Sequence, residues 1–554
     1  MRVLLAVLLA LTLLPGCQTT PTPPPPYQTV AARATAGEPV TVDELRRAFL
    51  ADPSFNDRMQ KLAPLERDAM QLLEDEPLRL GAIGAAILDV YYGSVAGHYA
   101  MEQFYEHVEA ADETGKHRRW LDEITQSIEA HGDGTRDAPY PVISASEAQA
   151  FLRVRGYTPE GSMYHSSDAV PFMMLISARK GSGTLESTYF DLTEAYRSVR
   201  DTVQQQNPEQ RFSPGVLIGY LAQQDDSAAQ ASIGAYLMGQ NNQTSAQEWL
   251  SAASRTGNVL ANLLLARLNQ DRAESLAGDE RTAALDAAMD QYLHAIAVGS
   301  DEAMFSLGGL YLDGEFGEEN VGSGVTLMTQ AADAGNTNAL LFLGHMYETG
   351  LHVDKNLDTG ADYLRRAALQ GQSQDDSRGT LQYARFLVAH ADTHPFDAQA
   401  IAWLQAAADD EESPEAMLLL GNLYARGHGV SQSYKKALTW FKSAVTNAPD
   451  DADIVNEVAW TLTVTELKQL RNARYARAIM DRVMNADGDA RANPAFLDTW
   501  AAAHAATGDF DRAIALQQEA LKAAESRDQK DVLDVLKDHL EAFQRRETLT
   551  DPVP

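Results

Sequence analysis

Any chemistry in this chain would have to come from a few scattered polar groups. His165 stands in Met163-Tyr-His-Ser-Ser-Asp168, beside Ser166, Ser167 and Asp168. Serine, histidine and aspartate can build an activated hydroxyl, but folding assembles such a device and adjacency does not. His345 and His352 flank Glu348, and a metal there would need a further ligand from elsewhere. Lys180-Gly181-Ser182-Gly183-Thr184 has the residue types of a phosphate loop in the wrong order, which leaves a flexible turn. Gly322-Ser323-Gly324 is too short for a nucleophile elbow. The acidic loop Glu315 to Asn320 lacks the alternating ligands of a calcium loop and reads as solvated. No His-Glu-x-x-His, paired Cys-x-x-Cys or Gly-x-x-x-x-Gly-Lys-Ser/Thr occurs. The chain therefore reads as a non-enzyme with no cofactor, no metal and no assignable catalytic residue. Residues 39–212 are the stretch where that reading stays open.

The lone cysteine is a different matter. Arg2 precedes an apolar run, Val3 to Leu14, too short to span a bilayer as a mature helix. Leu14-Pro15-Gly16-Cys17 follows and resembles the bacterial lipobox. The resemblance implies that Cys17 is lipidated and becomes the new N-terminus, and Gln18 behind it implies sorting to the outer membrane. A single thiol placed there would be consumed, leaving none exposed to an oxidising compartment. More than one acyl chain suffices for stable anchoring. The expectation is a signal peptide at 1–16 and a lipidated, Pro-rich linker at 17–38, on the periplasmic face of a Gram-negative outer membrane. The alternative is an ordinary secretory signal with an incidental cysteine.

Composition narrows the partners. The 554 residues exceed one compact core, and the hydrophobic fraction of 45% is that of a folded protein. Against 78 Asp+Glu stand 45 Lys+Arg, a net charge of −33. Such a charge repels phosphate backbones and anionic headgroups at long range, which excludes nucleic acid as a natural partner. Protein partners remain, together with the bilayer reached through the N-terminal acyl group.

The elements that would position these groups are mostly helices. Pro23 to Pro26 favour polyproline II, a spacer ahead of a body beginning near Pro39. Thr41-Val-Asp-Glu44 reads as a capping box. Helical patterns run through Phe55–Glu74, Pro77–His107 and His117–His131, giving a helical N-terminal domain at 39–140. Gly81, Gly84, Gly93 and Gly97 predict close helix packing within it. Residues 141–212 are an uncertain segment with possible mixed α/β character. Ser144 to Glu147 would cap a helix through Arg155, and the runs Val170–Ser177 and Tyr189-Phe190 suggest strand, turn and strand.

Beyond Ser213 the sequence repeats. Leu307-Gly308-x-x-Tyr311-x-x-Gly314, Leu343-Gly344-x-x-Tyr347-x-x-Gly350 and Leu420-Gly421-x-x-Tyr424-x-x-Gly427 share one pattern. Bulky residues of a second helix, Trp249, Tyr292, Leu327, Tyr363, Trp403 and Trp440, lie 43, 35, 36, 40 and 37 residues apart. That period marks stacked helical hairpins, an α-solenoid in a mainly α protein. The glycine lets the two helices approach, the aromatic fills space between hairpins, and Gly350 and Gly427 end helices in left-handed conformation. Ala384 and Leu387 stand in for glycine and aromatic in one unit; the first unit keeps Tyr236 and Gly239.

Residues 213–446 resemble Sel1-like repeats, relatives of the tetratricopeptide repeat. Ala416 to Val430, continuing through Lys436-Ala437-x-x-Trp440, carries the resemblance best. Leu497, Ala501, His504, Gly508, Ala513 and Ala520 resemble a tetratricopeptide repeat, with a degenerate unit before it, giving 447–525. The charged amphipathic helix Lys530 to Gln544, within 526–548, would cap the array. The resemblance implies protein–protein interaction along the repeats, with His345, Glu348, Asn422 and Arg426 as exposed contact points. The function expected is a lipid-anchored periplasmic scaffold in cell-envelope assembly or export. Two alternatives stand beside it: an envelope-polymer hydrolase with 39–212 catalytic, and a periplasmic regulator of a sensor protein. The hydrolase predicts a pocket within 140–200 holding His165 or Asp168; the scaffold predicts a polar groove along the repeats.

Overall fold

A computed structural model describes residues 25–73, 76–167, 169–207, 209, 211–317, 320–372, 376–410, 412–486, 490–527 and 529–551. Cys17, the segment 1–16 and Asp168 lie outside the described residues. The described chain is mainly helical with one small sheet, and it divides into two compact units, one ending at Ala303 and one beginning at Met304.

The first unit opens with helices α1 (Tyr27–Thr35), α2 (Val42–Leu50), α3 (Phe55–Leu72), α4 (Pro77–Val90), α5 (Val95–His107) and α6 (Ala111–Glu129). The folded body therefore starts at Tyr27 and not near Pro39, so the expected linker 17–38 is too long. The reason is burial: Tyr27 is 3% exposed, with its ring 5.1 Å from Phe49 and its hydroxyl accepting the Tyr92 N–H at 2.8 Å. Thr41 caps α2 through the Glu44 N–H, but the Glu44 carboxylate turns to Arg33 at 2.8 Å, completing only half of a capping box. The helical pattern over 77–107 is divided between Tyr91 and Ser94, where Ser94 caps a new helix. Gly84 and Gly97 hold the resulting pair together. A Cβ on Gly84 would lie 2.8 Å from Met101, and one on Gly97 2.7 Å from Ile87. No helix among the described residues is long and apolar enough to cross a membrane.

The uncertain segment is indeed mixed. It comprises β1 (Tyr140–Pro141), α7 (Ala145–Val154), β2 (Tyr157–His165), β3 (Met173–Lys180), β4 (Leu185–Asp191) and α8 (Thr193–Gln206). The sheet order is β1-β4-β3-β2, with β1 parallel to β4 and the other pairs antiparallel. Lys180–Thr184 forms the β3–β4 turn, as a flexible turn should. Strand β2 is an edge, and an open edge invites pairing with other chains. Here the first repeats cover it. These are α9 (Pro214–Ala222), α10 (Ser227–Gly239), α11 (Gln243–Ser254), α12 (Val259–Ser275) and α13 (Gly278–Ala297). Ser232 accepts the Tyr164 N–H at 2.8 Å, and the Asn258 side chain donates to the Ser162 carbonyl at 2.8 Å. Tyr236 is 67% exposed and does not fill a gap between hairpins, contrary to the expectation from its register.

Helix α14 (Asp301–Leu312) spans the division. The second unit continues with α15 (Val321–Asp333), α16 (Thr337–Thr349), α17 (Leu357–Gly371), α18 (Arg378–Ala389), α19 (Ala398–Asp409), α20 (Pro414–Arg426) and α21 (Tyr434–Asn447). It ends with α22 (Ala452–Val464), α23 (Ala473–Ala486), α24 (Pro494–Ala506), α25 (Phe510–Ser526) and α26 (Lys530–Gln544). The small positions do what the repeat requires. A Cβ on Gly344 would sit 2.6 Å from Leu364, and one on Gly421 2.5 Å from the Phe441 ring. Gly350 and Gly427 end their helices at φ 84° and 80°. Helix α26 buries Leu536 and Phe543, and His539 Nδ1 donates to the Asp498 carboxylate of α24 at 2.9 Å. The chain then folds back: the Asp551 N–H donates to the Val464 carbonyl and the Asp551 carbonyl accepts the Glu466 N–H, at 2.8 and 3.1 Å.

Candidate functional site

In the second unit the first helices of successive hairpins, α14, α16, α18, α20 and α22, share one face. Between α14, α16 and α18 that face sinks into a groove of about 610 Å³. Phe305, Leu341, Phe342 and Phe386 supply apolar walls; Asn338, His345, Glu348, Gln382 and Arg385 supply polar ones. The combination of an aromatic floor and spaced polar groups suits a side-chain-bearing segment of a partner.

Two of the four contact residues expected from sequence are in this groove. The His345 side chain is 64% exposed. Glu348 is partly spoken for, because its carboxylate pairs with His390 Nε2 at 2.9 Å and so ties the end of α18 to α16. Asn422 is a correction: it is 5% exposed, and no contact point. Helix α20 is buried from Ala416 through Ala425, since α18 and α22 close over both flanks. Its Oδ1 is left without a hydrogen bond. Arg426 is half-buried, and burial pushes its guanidinium down from its usual value, with Glu466 opposing.

Sequence reasoning missed Arg385 and the phenylalanines. Arg385 follows Ala384 as His345 follows Gly344, so aligning the small positions would have found it. Among the described residues Arg385 makes no hydrogen bond or ion pair. Its charge is felt by Glu457, whose carboxyl is raised by burial and lowered again by Arg385.

Among the described residues, His165 makes no hydrogen bond to Ser166 or Ser167. His165 ends β2 with Nε2 unpartnered and its pKa lowered, first by burial and then by Arg136. Ser166 is exposed, and Ser167 Oγ pairs with the Val170 backbone. The first unit does hold a cavity, but it draws on residues from 55 to 256 and His165 does not line it. Among the described residues no group of three His, Cys, Asp or Glu side chains could hold a metal ion.

Paired helices with a small residue at each crossing and a shared first-helix face define an α-solenoid repeat protein. Residues 227–258, 301–336, 337–372, 397–411 and 414–448 match the Sel1 repeat family model. These stretches carry Sel1 repeats, and repeats of this kind support a protein-interaction scaffold role. The stretch 259–300, which is unmatched and contains no Gly-x-x-Tyr, still folds as the hairpin α12–α13. A Sel1 repeat protein from Oxalobacter formigenes is 22% identical over 46% of this chain and 96% of its own, with TM-score 0.34. A protective antigen of uropathogenic Escherichia coli with an SLR fold is 14% identical, covering 95% of this chain and 98% of its own, at TM-score 0.40. Yeast Tom70 is 11% identical over 94% and 95%, at TM-score 0.34. No match is found among curated proteins.

Proposed function

We propose that this protein is a lipid-anchored scaffold of the periplasm that holds protein partners during envelope assembly or export, and that it acts by binding and not by catalysis. The observation that carries the reading is the groove between α14, α16 and α18, where aromatic walls stand beside an arginine that makes no hydrogen bond or ion pair among the described residues. Buried aromatics and arginine dominate binding energy at protein interfaces, so a groove of this composition supports the docking of a protein partner. The tether is read from Leu14 to Cys17 alone.

Two experiments test the two halves separately. Phe342→Asp together with Arg385→Glu should abolish a stoichiometric partner captured by crosslinking in intact envelopes, and Arg385→Glu alone should weaken its capture while the melting temperature stays that of the parent. Retention of the partner would remove the groove from the reading. Cys17→Ser should move the protein from the membrane fraction to the soluble periplasm; unchanged fractionation would defeat the anchor.

A further inference from the structure

The first unit contains a second cavity, of about 670 Å³, enclosed by α3, α7, α8, α9 and the sheet and built largely from residues outside the matched repeats. Its size falls within the range of small-molecule sites. One wall is a row of stacked rings. Tyr164 and Phe172 stand 5.1 Å apart at 14°, Phe172 and Tyr196 5.6 Å apart at 29°, and the row continues to Phe212 at 6.1 Å. The two hydroxyls in it are spent, Tyr196 donating to the Phe212 carbonyl and Tyr164 to Asp226. The wall is therefore apolar. Met59, Met70 and Met174 add adaptable thioethers, which mould to chains of varied length.

The mouth is polar. On α3, Met59, Ala63 and Arg67 are spaced four apart, so they share one face and carry it from the apolar interior to a guanidinium. Among the described residues Arg67 makes no hydrogen bond or ion pair. A second guanidinium, Arg153, lines the same cavity. Of the rim acids, Asp226 accepts the Ala229 N–H and the Tyr164 hydroxyl and feels the charge of Arg67 without bonding to it, so a ligand carboxylate would compete with it there; Asp225 is exposed in the turn before α10. Helix α9 closes another side. It has no charged residue, yet only Ala222 is buried; Leu217 and Leu221 face the cavity while Val216 and Tyr220 are exposed. Apolar helices of this kind are normally enclosed on all sides, and one packed on a single side can shift to admit a ligand.

We infer that this cavity binds a free long-chain carboxylate, the chain lying along the ring row and the carboxylate meeting Arg67. The assignment is independent of the groove and of the anchor.

Titration of the full-length protein with dansyl-undecanoic acid, followed by fluorescence, tests it. Saturable binding at one site per chain is expected, with displacement by palmitate. Ala63→Phe should weaken binding by at least about tenfold by filling the interior, and Arg67→Gln should do the same for palmitate while leaving hexadecanol competition unchanged. Should Ala63→Phe fail to fold, the Arg67 comparison decides, since that side chain is exposed and its loss leaves packing intact. Absence of saturable binding would overturn the assignment. So would displacement by lysophosphatidylglycerol but not palmitate, or loss of binding in the groove variant with Phe342→Asp.

Discussion

Glu66→Gln is expected to raise the stability of the first unit by roughly 3 kcal/mol at pH 8 and to leave it unchanged near pH 4.5. Glu66 is wholly buried, accepting the hydroxyls of Ser94 at 2.7 Å and Ser144 at 2.8 Å. Burial pushes its carboxyl up to about 7 from 4.5, with the neighbouring Glu147 adding to the rise and the two serines opposing it. A raised carboxyl binds its proton more tightly in the folded chain than in the unfolded one. Folding is therefore unpenalised below the unfolded value and loses stability as pH climbs from 4.5 through 7. A permanently neutral amide removes that loss.

The parent protein hides this effect. His98 is also fully buried, between Trp120, stacked at 5.5 Å, and His117, whose Nδ1 lies 2.9 Å from its own. Burial, then His117, push it down to about 3 from 6.5, while its bond to the Tyr92 carbonyl opposes them. The unfolded chain thus takes up the proton first, and His98 withdraws stability as pH falls from 6.5 toward 3. Between about 4.5 and 6.5 the two groups act in opposite directions. Over that window the melting temperature of Glu66→Gln should fall with acidity relative to the parent, in which Glu66 offsets His98. A parallel pH profile for the two proteins would show that Glu66 does not titrate in this range.

Gly421→Leu should destabilise the second unit by about 3 kcal/mol or more, because α20 and α21 meet at that position without room for a side chain. Even a methyl would stand 2.5 Å from Phe441, a ring fully buried between the helices with no route outward. The control is Gly219→Ala in α9, where nothing lies within 4 Å. Removing a helical glycine there should be neutral or stabilising by about 0.5–1 kcal/mol. Calorimetry of both variants separates close packing from a general cost of substitution, and a parental melt for Gly421→Leu would mean the hairpin crossing is elsewhere.

The hairpins were legible because each depends on residues a few turns apart: a small residue at the crossing, a glycine past the helix end, a bulky residue in the returning helix. The α/β segment was legible only in outline. Strands as short as Met173–Lys180 give no periodicity that separates them from buried helix, and their pairing with β2 is set by a register no local signal records. Asn422 was misjudged for a related reason. Its place in the repeat matches that of exposed His345, but exposure depends on how closely the flanking helices lie, which differs from one hairpin to the next. The cavity of the first unit could not have been read at all, since Met59, Tyr164, Tyr196 and Leu217 meet there from four distant stretches. Its exposed cation, Arg67, looks in sequence like any surface arginine.

The return of Asp551 to the α22–α23 loop has a bearing on how the second unit comes apart. Stacked hairpins ordinarily fray one after another from an open end, each loss costing only its own interface. Here Asp551 is clasped by Val464 and Glu466, and Thr550 by Arg471 at 2.8 Å, so peeling away α26 also breaks hydrogen bonds made two hairpins earlier. The hairpins from α22 to α26 are thereby latched into one cooperative block, and sequential unzipping across them is suppressed.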